Sequence, residues 1–371
     1  MDLLTDASHF MAAGLLSLGV SLAIVQTRGL HLGRTARGHA GEEIQSTHAR
    51  PTPRIGGLAL MLGLLLSVAL SSGEVRDLLL LANFACLPVF LAGMMEDLNF
   101  GASPRIRLMA AMLSSAMMIL LSGYRISAVG VPGIDNLVAL APVGIAFTVF
   151  ATAGVSHAYN LVDGLNGLSM GIAVVSATAL GVIAASVGDS VLVSIAAAFI
   201  LCVLGVFVVN YPFGWLFLGD GGAYTIGHLI AWLAVMLMAR NPEVSPWAVL
   251  LTAFWPVMDT FAAILRRWIN RTPTDAPDRM HFHHVMMRLI LANFPVQHRL
   301  VVANSLATAL MFPLFVTPAV LAVLTAQNNL LGFLSFVVCI IGYVGFRLAL
   351  VRRFRAVRRR LMRLKSVLVS H

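Results

Sequence analysis

The sequence predicts an all-α, polytopic integral membrane protein, and composition is the first observation behind this fold class. Of its 371 residues, 59% are hydrophobic and only 11% are charged, whereas a soluble domain carries roughly 25% charged residues. The second observation is that apolar runs long enough to cross about 30 Å of hydrocarbon recur along the whole chain. The third is an uneven distribution of basic residues between the loops that join these runs.

The apolar runs predict about eleven transmembrane helices. We interpret the first run as a membrane helix rather than a signal peptide, because the preceding segment MDLLTDASHF carries acidic instead of basic residues. The predicted helices span residues 10–28, 55–73, 77–95, 106–123, 137–155, 167–187, 190–210, 222–240, 246–265, 299–325 and 328–351.

The basic residues predict how these helices are oriented. If the N-terminus is outside, the inside segments and their flanks hold all of the 25 Lys and Arg residues except Arg76, Arg125 and Arg240. Cytoplasmic loops carry an excess of Lys and Arg, so the C-terminus is expected in the cytoplasm. Residues 1–351 are expected to form one transmembrane domain. Residues 352–371 form a basic cytoplasmic tail that is expected to bind anionic lipid of the inner leaflet, and no nucleic-acid partner is expected.

Five polar motifs fall in loops that this topology places on the cytoplasmic side. A passive structural protein has no reason to gather Asp, Asn, His and Gly on one face, so their distribution indicates a functional site at the cytoplasmic interface. The motifs are RPTPRIGG (50–57), EDLNFGASPRIR (96–107), HAYNLVDGLNG (157–167), NYPFGWLFLGDGG (210–222) and DAPDRMHFHH (275–284).

Carboxylates are the first candidates for chemistry in these motifs. Glu96 and Asp97 end an apolar run, where an unpaired charge is costly. Asp220 in LGDGG is placed to bind Mg²⁺, while the glycines would let backbone N–H groups approach phosphate oxygens; the alternative is a Gly-rich helix break with an interfacial Asp. Asp163 in NLVDG is either a similar ligand or a helix cap.

Cationic and imidazole side chains are the second group of candidates. His281, His283 and His284 form the densest histidine cluster but lack a Cys or acidic ligand in register, so contact with a diphosphate is favoured over a zinc site. Arg105 and Arg107 are either topology charges or a clamp for phosphate oxygens. Together with the carboxylates they favour phosphoryl transfer, which needs charge neutralisation by Mg²⁺ and cations and in-line positioning of the reactants.

From about residue 50 to residue 290, the order of these motifs resembles the polyprenyl-phosphate N-acetylhexosamine-1-phosphate transferases. The resemblance implies Mg²⁺-dependent transfer of a sugar 1-phosphate, with Mn²⁺ as the alternative cation. A UDP-N-acetyl sugar would react with undecaprenyl phosphate on the cytoplasmic face of the bacterial inner membrane, releasing UMP. It also implies the first membrane step of an O-antigen-like surface polysaccharide, and it leaves open whether the enzyme is a homodimer.

The resemblance further implies roles for single residues. Asp220 is expected to be the principal Mg²⁺ ligand, with Asp163 as a second ligand. Asp97 is expected to position or deprotonate the lipid phosphate, with Glu96 orienting a neighbour, and Asp163 and His284 complete the catalytic set. The expected substrate-binding residues are Arg54, Arg105, Asn160, Asn166, Asn210, His281 and His283.

Two positions depart from the family pattern. The acidic pair, usually Asp-Asp, is Glu96-Asp97, and the usual DGLDG is DGLNG, with Asn166 in place of the second Asp. Asn can form hydrogen bonds but can neither supply a charge nor take a proton. Metal binding through Asp220 and Asp163 is expected to survive both changes.

Two other classes of protein compete with the enzyme. A secondary transporter for an anionic or nucleotide-sugar substrate predicts charges near the bilayer midplane and paired broken helices, whereas the polar motifs here lie at one face. A non-catalytic relative is the second alternative, and the joint presence of Asp97, Asp163, Asp220 and His284 disfavours it.

Overall fold

The structure, a computed structural model, describes residues 3–36, 51–271, 280–293 and 300–369, and helix is the regular secondary structure found in these ranges. The all-α class is therefore confirmed. The helices are α1 (Leu3–Gln26), α2 (Arg28–Thr35), α3 (Gly56–Leu70), α4 (Gly73–Asp97), α5 (Pro104–Ser122), α6 (Ile134–Ala139), α7 (Ala141–Val162), α8 (Leu168–Ser186), α9 (Ser190–Asn210), α10 (Gly219–Arg240), α11 (Pro246–Thr252), α12 (Phe254–Ile269), α13 (Phe282–Asn293), α14 (Leu300–Leu324) and α15 (Asn329–Val369).

Each predicted apolar segment coincides with one of these helices or with a helix pair. Within the described ranges, nine helices are long and apolar enough to cross a membrane, namely α1, α4, α5, α7, α8, α9, α10, α14 and α15. The predicted segment 55–73 corresponds to α3, which has only 15 residues. The protein is thus a multi-pass helical membrane protein, while eleven crossings and their orientation stay predictions.

The predicted helix 246–265 is not one straight element. The structure divides it into α11 and α12, whose axes differ by 82°, with Ala253 between them. Pro256 explains the break, because it has no N–H to donate to the carbonyl of Thr252 and its ring would clash with that carbonyl. In the first turn of α12, however, a missing N–H costs nothing.

Helix α10 forms the centre of the bundle. In its most apolar 18-residue window 78% of the residues are buried, and α3, α4, α7 and α8 pack around it. Tyr224 and Trp232 are among the largest fully buried side chains. Because α10 is held on all sides, the polar groups at its two ends have fixed surroundings.

The C-terminal end of α10 carries an ion-pair network. Arg240 Nε donates to Asp189 at 2.7 Å, and its Nη1 donates to Glu74 and to the Tyr124 hydroxyl at 3.2 Å. Asn241 Nδ2 also donates to Asp189, at 3.2 Å. A cation is stabilised at a helix C-terminus, and this network joins α10 to α4 and to the start of α9.

The basic tail continues the last helix. Helix α15 runs from Asn329 to Val369 without interruption, so residues 352–369 of the tail are helical. Residues 370 and 371 lie outside the described ranges. Its expected contact with anionic lipid stays a prediction.

Candidate active site

The site is built on the contact between the end of α4 and the start of α10. Asp97 is 1% exposed, and its two carboxylate oxygens accept the backbone N–H groups of Asp220 and Gly221, each at 2.8 Å. The first N–H groups of a helix have no partner within the helix, and the helix dipole stabilises a negative charge there. Asp97 therefore caps α10 and fixes the backbone that carries Asp220.

This contact bears on one expectation from the sequence. The glycines of LGDGG were expected to let backbone N–H groups approach phosphate oxygens, and the N–H groups of Asp220 and Gly221 donate to Asp97. The glycines also allow close packing. Gly219 has a φ of +78°, which favours glycine, and a Cβ there would overlap the Arg54 carbonyl. A Cβ on Gly93 would lie 2.5 Å from the Cα of Gly221.

Two arginines hold the Asp220 carboxylate. Arg54 Nη2 lies 3.5 Å from Asp220 Oδ1, and Arg107 Nη1 donates to Oδ2 of the same group. The Asp220, Arg54 and Arg107 side chains are 11%, 24% and 13% exposed. The Nε atoms of both arginines are buried and have no hydrogen-bond partner. Guanidinium groups with unused donors are well suited to bind phosphate oxygens.

The other two charged candidates of the EDLNFGASPRIR motif have different surroundings. Consecutive helical residues point about 100° apart, so Glu96 is partly exposed where Asp97 is buried. Arg105 is exposed, whereas Arg107, two residues further along α5, contacts Asp220. The structure thus brings Asp97 and Arg107 into the cluster, and the roles of Glu96 and Arg105 stay predictions.

Asp163 lies just after α7, in the loop that leads to α8. Its Oδ1 accepts the hydroxyl of Ser169. Removal of water by the surrounding protein raises the pKa of Asp163 to about 6; the Ser169 hydrogen bond and Arg54 oppose this rise, and the charge of Asp220 adds to it. Asp163 is therefore within electrostatic reach of the Asp220 cluster. Asn160 lies half-buried one turn earlier.

Asn166 and Asn210 join two loops of the site. Asn210 is 3% exposed; its Oδ1 accepts the N–H of Gly167 at 2.5 Å and its Nδ2 donates to the Leu216 carbonyl at 2.6 Å. Asn166 Nδ2 donates to the Pro212 carbonyl at 2.9 Å, while its Oδ1 is buried without a partner. Asn210 thus orders the loops with both ends of its amide, and Asn166 keeps one acceptor unused.

A buried carboxylate anchors the histidine segment. Asp259 on α12 is fully buried, and its Oδ2 lies 2.8 Å from His281 Nδ1. Its Oδ1 accepts the N–H of Phe282 at 3.2 Å and the hydroxyl of Tyr343 at 3.0 Å, with Arg347 Nη1 at 3.4 Å. A carboxylate partner requires a proton on Nδ1 of His281, so helices α12 and α15 fix the orientation of this ring.

His283 connects this segment to the Asp163 loop. Its ring stacks on His281 at a centroid distance of 5.7 Å and lies 4.2 Å from the ring of the partly exposed His284. A Cβ on Gly164 would overlap the His283 ring, so the two segments are in direct contact. Burial holds the pKa of His283 well below its usual range, which makes the ring neutral. Residues 275–279 of this motif lie outside the described ranges.

Sequence reasoning missed Asp259 and did not select Arg107. A lone carboxylate inside an apolar segment is the signal that could have identified Asp259, because such residues are paired or functional. The sequence alone does not distinguish Arg107 from Arg105, because the difference lies in the direction in which each side chain leaves α5.

The carboxylates fit a magnesium ion. The described ranges contain no group of three or more His, Cys, Asp or Glu side chains that could hold a metal. Mg²⁺ needs fewer protein ligands, because it keeps several waters and is commonly bound by one or two carboxylates together with substrate phosphates. Asp220 already lies among cationic groups, and burial raises the pKa of Asp163 although Arg54 opposes the rise, so a further cation would stabilise its charged form. Both are suitable ligands.

Comparison with known proteins places this arrangement in a family. A family model described as glycosyl transferase family 4 matches residues 79–238, a range that includes Asp97, Asp163 and Asp220. The "Probable undecaprenyl-phosphate N-acetylglucosaminyl 1-phosphate transferase" of Bacillus subtilis (strain 168) is 27% identical over 257 residues, which cover 69% of this chain and 70% of the relative. The chain belongs to the polyprenyl-phosphate N-acetylhexosamine-1-phosphate transferase superfamily.

Other members of the superfamily agree with this assignment. The undecaprenyl-phosphate alpha-N-acetylglucosaminyl 1-phosphate transferase of Yersinia pestis is 26% identical over 300 residues, 78% of each chain. The protein of the same name from Salmonella typhi is 30% identical over 254 residues, 65% of this chain and 66% of the relative. The resemblance drawn from the motifs is therefore confirmed at the level of the superfamily.

Proposed function

We propose that the protein transfers a sugar 1-phosphate from a UDP-N-acetylhexosamine to undecaprenyl phosphate, giving undecaprenyl diphosphate-sugar and UMP. The observation that carries the proposal is the Asp220 carboxylate at the capped start of α10, held by Arg54 and Arg107. The buried Nε atoms of both arginines have no hydrogen-bond partner, although Arg54 Nε lies 3.9 Å from Asp97 Oδ1. The names of the relatives support the lipid acceptor and the sugar-phosphate donor group.

The reaction exchanges one phosphorus–oxygen bond for another. An oxygen of the lipid phosphate forms a bond to the β-phosphorus, which carries the sugar, and the bond from that phosphorus to the bridging oxygen breaks. The electron pair leaves with UMP. A phosphomonoester has a second pKa of about 6, so the attacking oxygen is largely ionised near neutral pH and a strong general base is not required.

Asp220 and Asp163 would hold Mg²⁺, with Mn²⁺ as the alternative. When bound, the ion would neutralise the negative charge that develops on the diphosphate. Arg54 and Arg107 bind phosphate oxygens beside it. We assign Asp97 to positioning, because both of its oxygens accept N–H groups from the start of α10 and it is 1% exposed. Of the two roles expected from the sequence, positioning or deprotonation, this proposal takes the first.

The histidines and the two asparagines border the same centre. His281 is oriented by Asp259, and His283 packs on Gly164, next to Asp163. We assign His281, His283 and His284 to contacts with the diphosphate and the sugar. Asn166 and Asn210 order the loops, and the unused Oδ1 of Asn166 is a candidate contact for the nucleotide.

The cellular setting follows from the same proposal. The expected location is the bacterial inner membrane with the site on the cytoplasmic side, where the lipid phosphate lies at the interface and its tail in hydrocarbon. The expected process is the start of an O-antigen-like surface polysaccharide.

The experiment is a transfer assay on purified protein with undecaprenyl phosphate, Mg²⁺ and a panel of UDP-N-acetyl sugars. We expect UMP release that requires both the lipid and the cation and that stops when the cation is chelated. The proposal would be contradicted if none of the sugars in the panel supported UMP release. Uptake of the nucleotide sugar into vesicles without UMP release would instead support a transporter.

A further inference from the structure

His157 lies beside the Asp220 cluster, and neither the proposed mechanism nor the motif roles use it. It stands on α7, five residues before that helix ends. Its ring Nε2 is buried and has no hydrogen-bond partner. A buried donor or acceptor without a partner costs about 1–3 kcal/mol, and at this position a ligand bound to the Asp220 cluster would supply the missing partner.

The His157 ring is oriented by Tyr224. Its Nδ1 lies 3.1 Å from the Tyr224 hydroxyl, and the two rings meet edge to face at 4.9 Å. Tyr224 is 1% exposed. When the phenol donates to Nδ1, the proton of the neutral imidazole must lie on Nε2. The ring then presents an N–H donor on the side away from Tyr224.

The backbones of α7 and α10 keep this pair in place. Ser156 Oγ donates to the Tyr224 carbonyl at 2.7 Å, and a Cβ on Gly227 would lie 2.7 Å from the Cα of Ser156. The helices therefore touch directly next to His157. A donor on such a support is positioned before the ligand binds, which reduces the entropy lost on binding.

The surroundings of His157 indicate what ligand its donor would meet. Tyr224 follows Asp220 by one helical turn on α10, and the Arg107 guanidinium lies 5.8 Å from the centre of the Tyr224 ring while it contacts Asp220. His157 is thus next to Arg107 and Asp220. The Nε atom of Arg107 is also buried without a hydrogen-bond partner, and Arg54 Nε has only an ion-pair contact of 3.9 Å with Asp97 Oδ1. Nitrogen donors with unused hydrogen-bonding capacity beside one carboxylate suit an oxygen-rich anion.

We propose that His157 is a substrate-binding residue whose Nε2 donates a hydrogen bond to a phosphate oxygen of a reactant, with Tyr224 as its positioning residue. The inference rests on the proposed function, which supplies two sources of such an oxygen, the diphosphate of the nucleotide sugar and the phosphate of the lipid acceptor. A neutral imidazole N–H adds a hydrogen bond to the phosphate without adding a further charge.

The test is direct binding by purified full-length protein, measured separately for UDP-N-acetylglucosamine and for undecaprenyl phosphate. His157→Phe keeps a ring but removes both nitrogens, whereas His157→Gln keeps an amide donor near the position of Nε2. We expect His157→Phe to raise the Kd of one of the two ligands about 10-fold to 100-fold, and His157→Gln to recover most of the loss. Tyr224→Phe should raise the same Kd about 3-fold to 10-fold.

The ligand whose Kd changes identifies the source of the phosphate oxygen. His228→Phe is the control. Whereas His157 lies on α7 and is partly exposed, His228 is a fully buried histidine on α10 with both ring nitrogens unpartnered, eight residues beyond Asp220. It should leave both Kd values unchanged. Thermal unfolding of each variant separates loss of binding from loss of folding.

Two results would overturn the inference. One is unchanged binding of both ligands by His157→Phe. The other is a His157→Gln variant that folds like the wild type and binds as weakly as His157→Phe. Because binding is read without turnover, a wild-type protein that binds these ligands but releases no UMP would contradict the proposed function and leave the His157 test intact.

Discussion

The two ends of α10 both pair arginine with carboxylates, but they differ in how completely their polar atoms are used. At the C-terminal end, Arg240 bonds Asp189, Glu74 and Tyr124, and Asn241 adds a further bond to Asp189. At the N-terminal end, the Nε atoms of Arg54 and Arg107 are buried without hydrogen-bond partners, and Arg54 Nε has only an ion-pair contact of 3.9 Å with Asp97.

This difference distinguishes a structural brace from a binding site. A network whose groups are all satisfied gains nothing from a ligand, whereas unused donors around a carboxylate are costly until a ligand completes them. Under the proposed function, the same residue types at the two ends of one helix therefore have different roles. Charge alone would not have separated them.

The largest expected effect is at Asp220. Asp220→Asn removes the charge of the principal metal ligand but preserves the shape of the side chain and leaves the Asp97 cap to α10 in place. We expect transfer activity to fall about 1,000-fold or more, because a bound cation stabilises the transition state by several kcal/mol. The thermal unfolding temperature should also fall, because Arg54 and Arg107 lose the carboxylate with which they pair, so the rate is compared per folded molecule. The assay is the initial rate of UMP release, and activity within tenfold of the wild type would show that the N-terminal end is not the reaction centre.

Arg107 and Arg105 form a matched pair within one helix. Arg107→Ala should lower kcat/KM about 10-fold to 100-fold, because it removes a charged hydrogen-bond donor beside Asp220. Arg105→Ala removes an exposed side chain and should change kcat/KM less than about threefold. If both variants lost the same factor in kcat/KM, the two arginines would act only through their general positive charge.

The Asp259–His281 pair extends the comparison to a second buried carboxylate. Asp259→Asn keeps a hydrogen-bond acceptor for His281, but it no longer neutralises the positive charge of Arg347. We expect about a tenfold loss of kcat/KM through misorientation of the histidine segment, together with a lower unfolding temperature. Asp259→Glu, which restores the charge, should recover part of the stability. Stability loss with unchanged kcat/KM would make Asp259 a brace like Asp189.

The smallest effect on catalysis is expected at the C-terminal end of α10. Asp189→Asn leaves Arg240 without its buried partner, and breaking a buried pair costs about 3 kcal/mol. Denaturant unfolding should detect this loss, while kcat/KM per folded molecule stays near the wild-type value. A specific loss of activity without a loss of stability would remove the distinction between the two ends.

Sequence reasoning located the helices well, because the length of an apolar segment can be read directly from consecutive residues. Residues 77–95, for example, fall within α4, and residues 190–210 coincide with α9. It did not predict the bend at Ala253, since a proline in a helix either breaks it or is accommodated, depending on the surrounding packing.

The site was predicted at the level of motifs but not of contacts. Asp220 and Asp163 stand out as carboxylates beside glycine, yet the cap that Asp97 places on α10 depends on the approach of α4 to α10. Glu96 and Asp97 differ in the direction in which each side chain leaves α4, and Arg105 and Arg107 differ in the same way on α5. A sequence motif of five to ten residues does not show which side of its helix faces the rest of the bundle. Asp259 and His281 are 22 residues apart, and only the tertiary structure brings them into contact.

The most direct measurement follows the phosphorus atom. UDP-N-acetylglucosamine labelled with ³²P at the β-position is incubated with undecaprenyl phosphate, Mg²⁺ and either the wild-type protein or Asp220→Asn, with Asp189→Asn as the control from the other end of α10. Transfer of a sugar 1-phosphate at Asp220 predicts that the label enters the lipid fraction with the wild type and with Asp189→Asn but not with Asp220→Asn. Label that stays in water-soluble UDP while sugar reaches the lipid, or equal labelling of the lipid by Asp220→Asn, would contradict it.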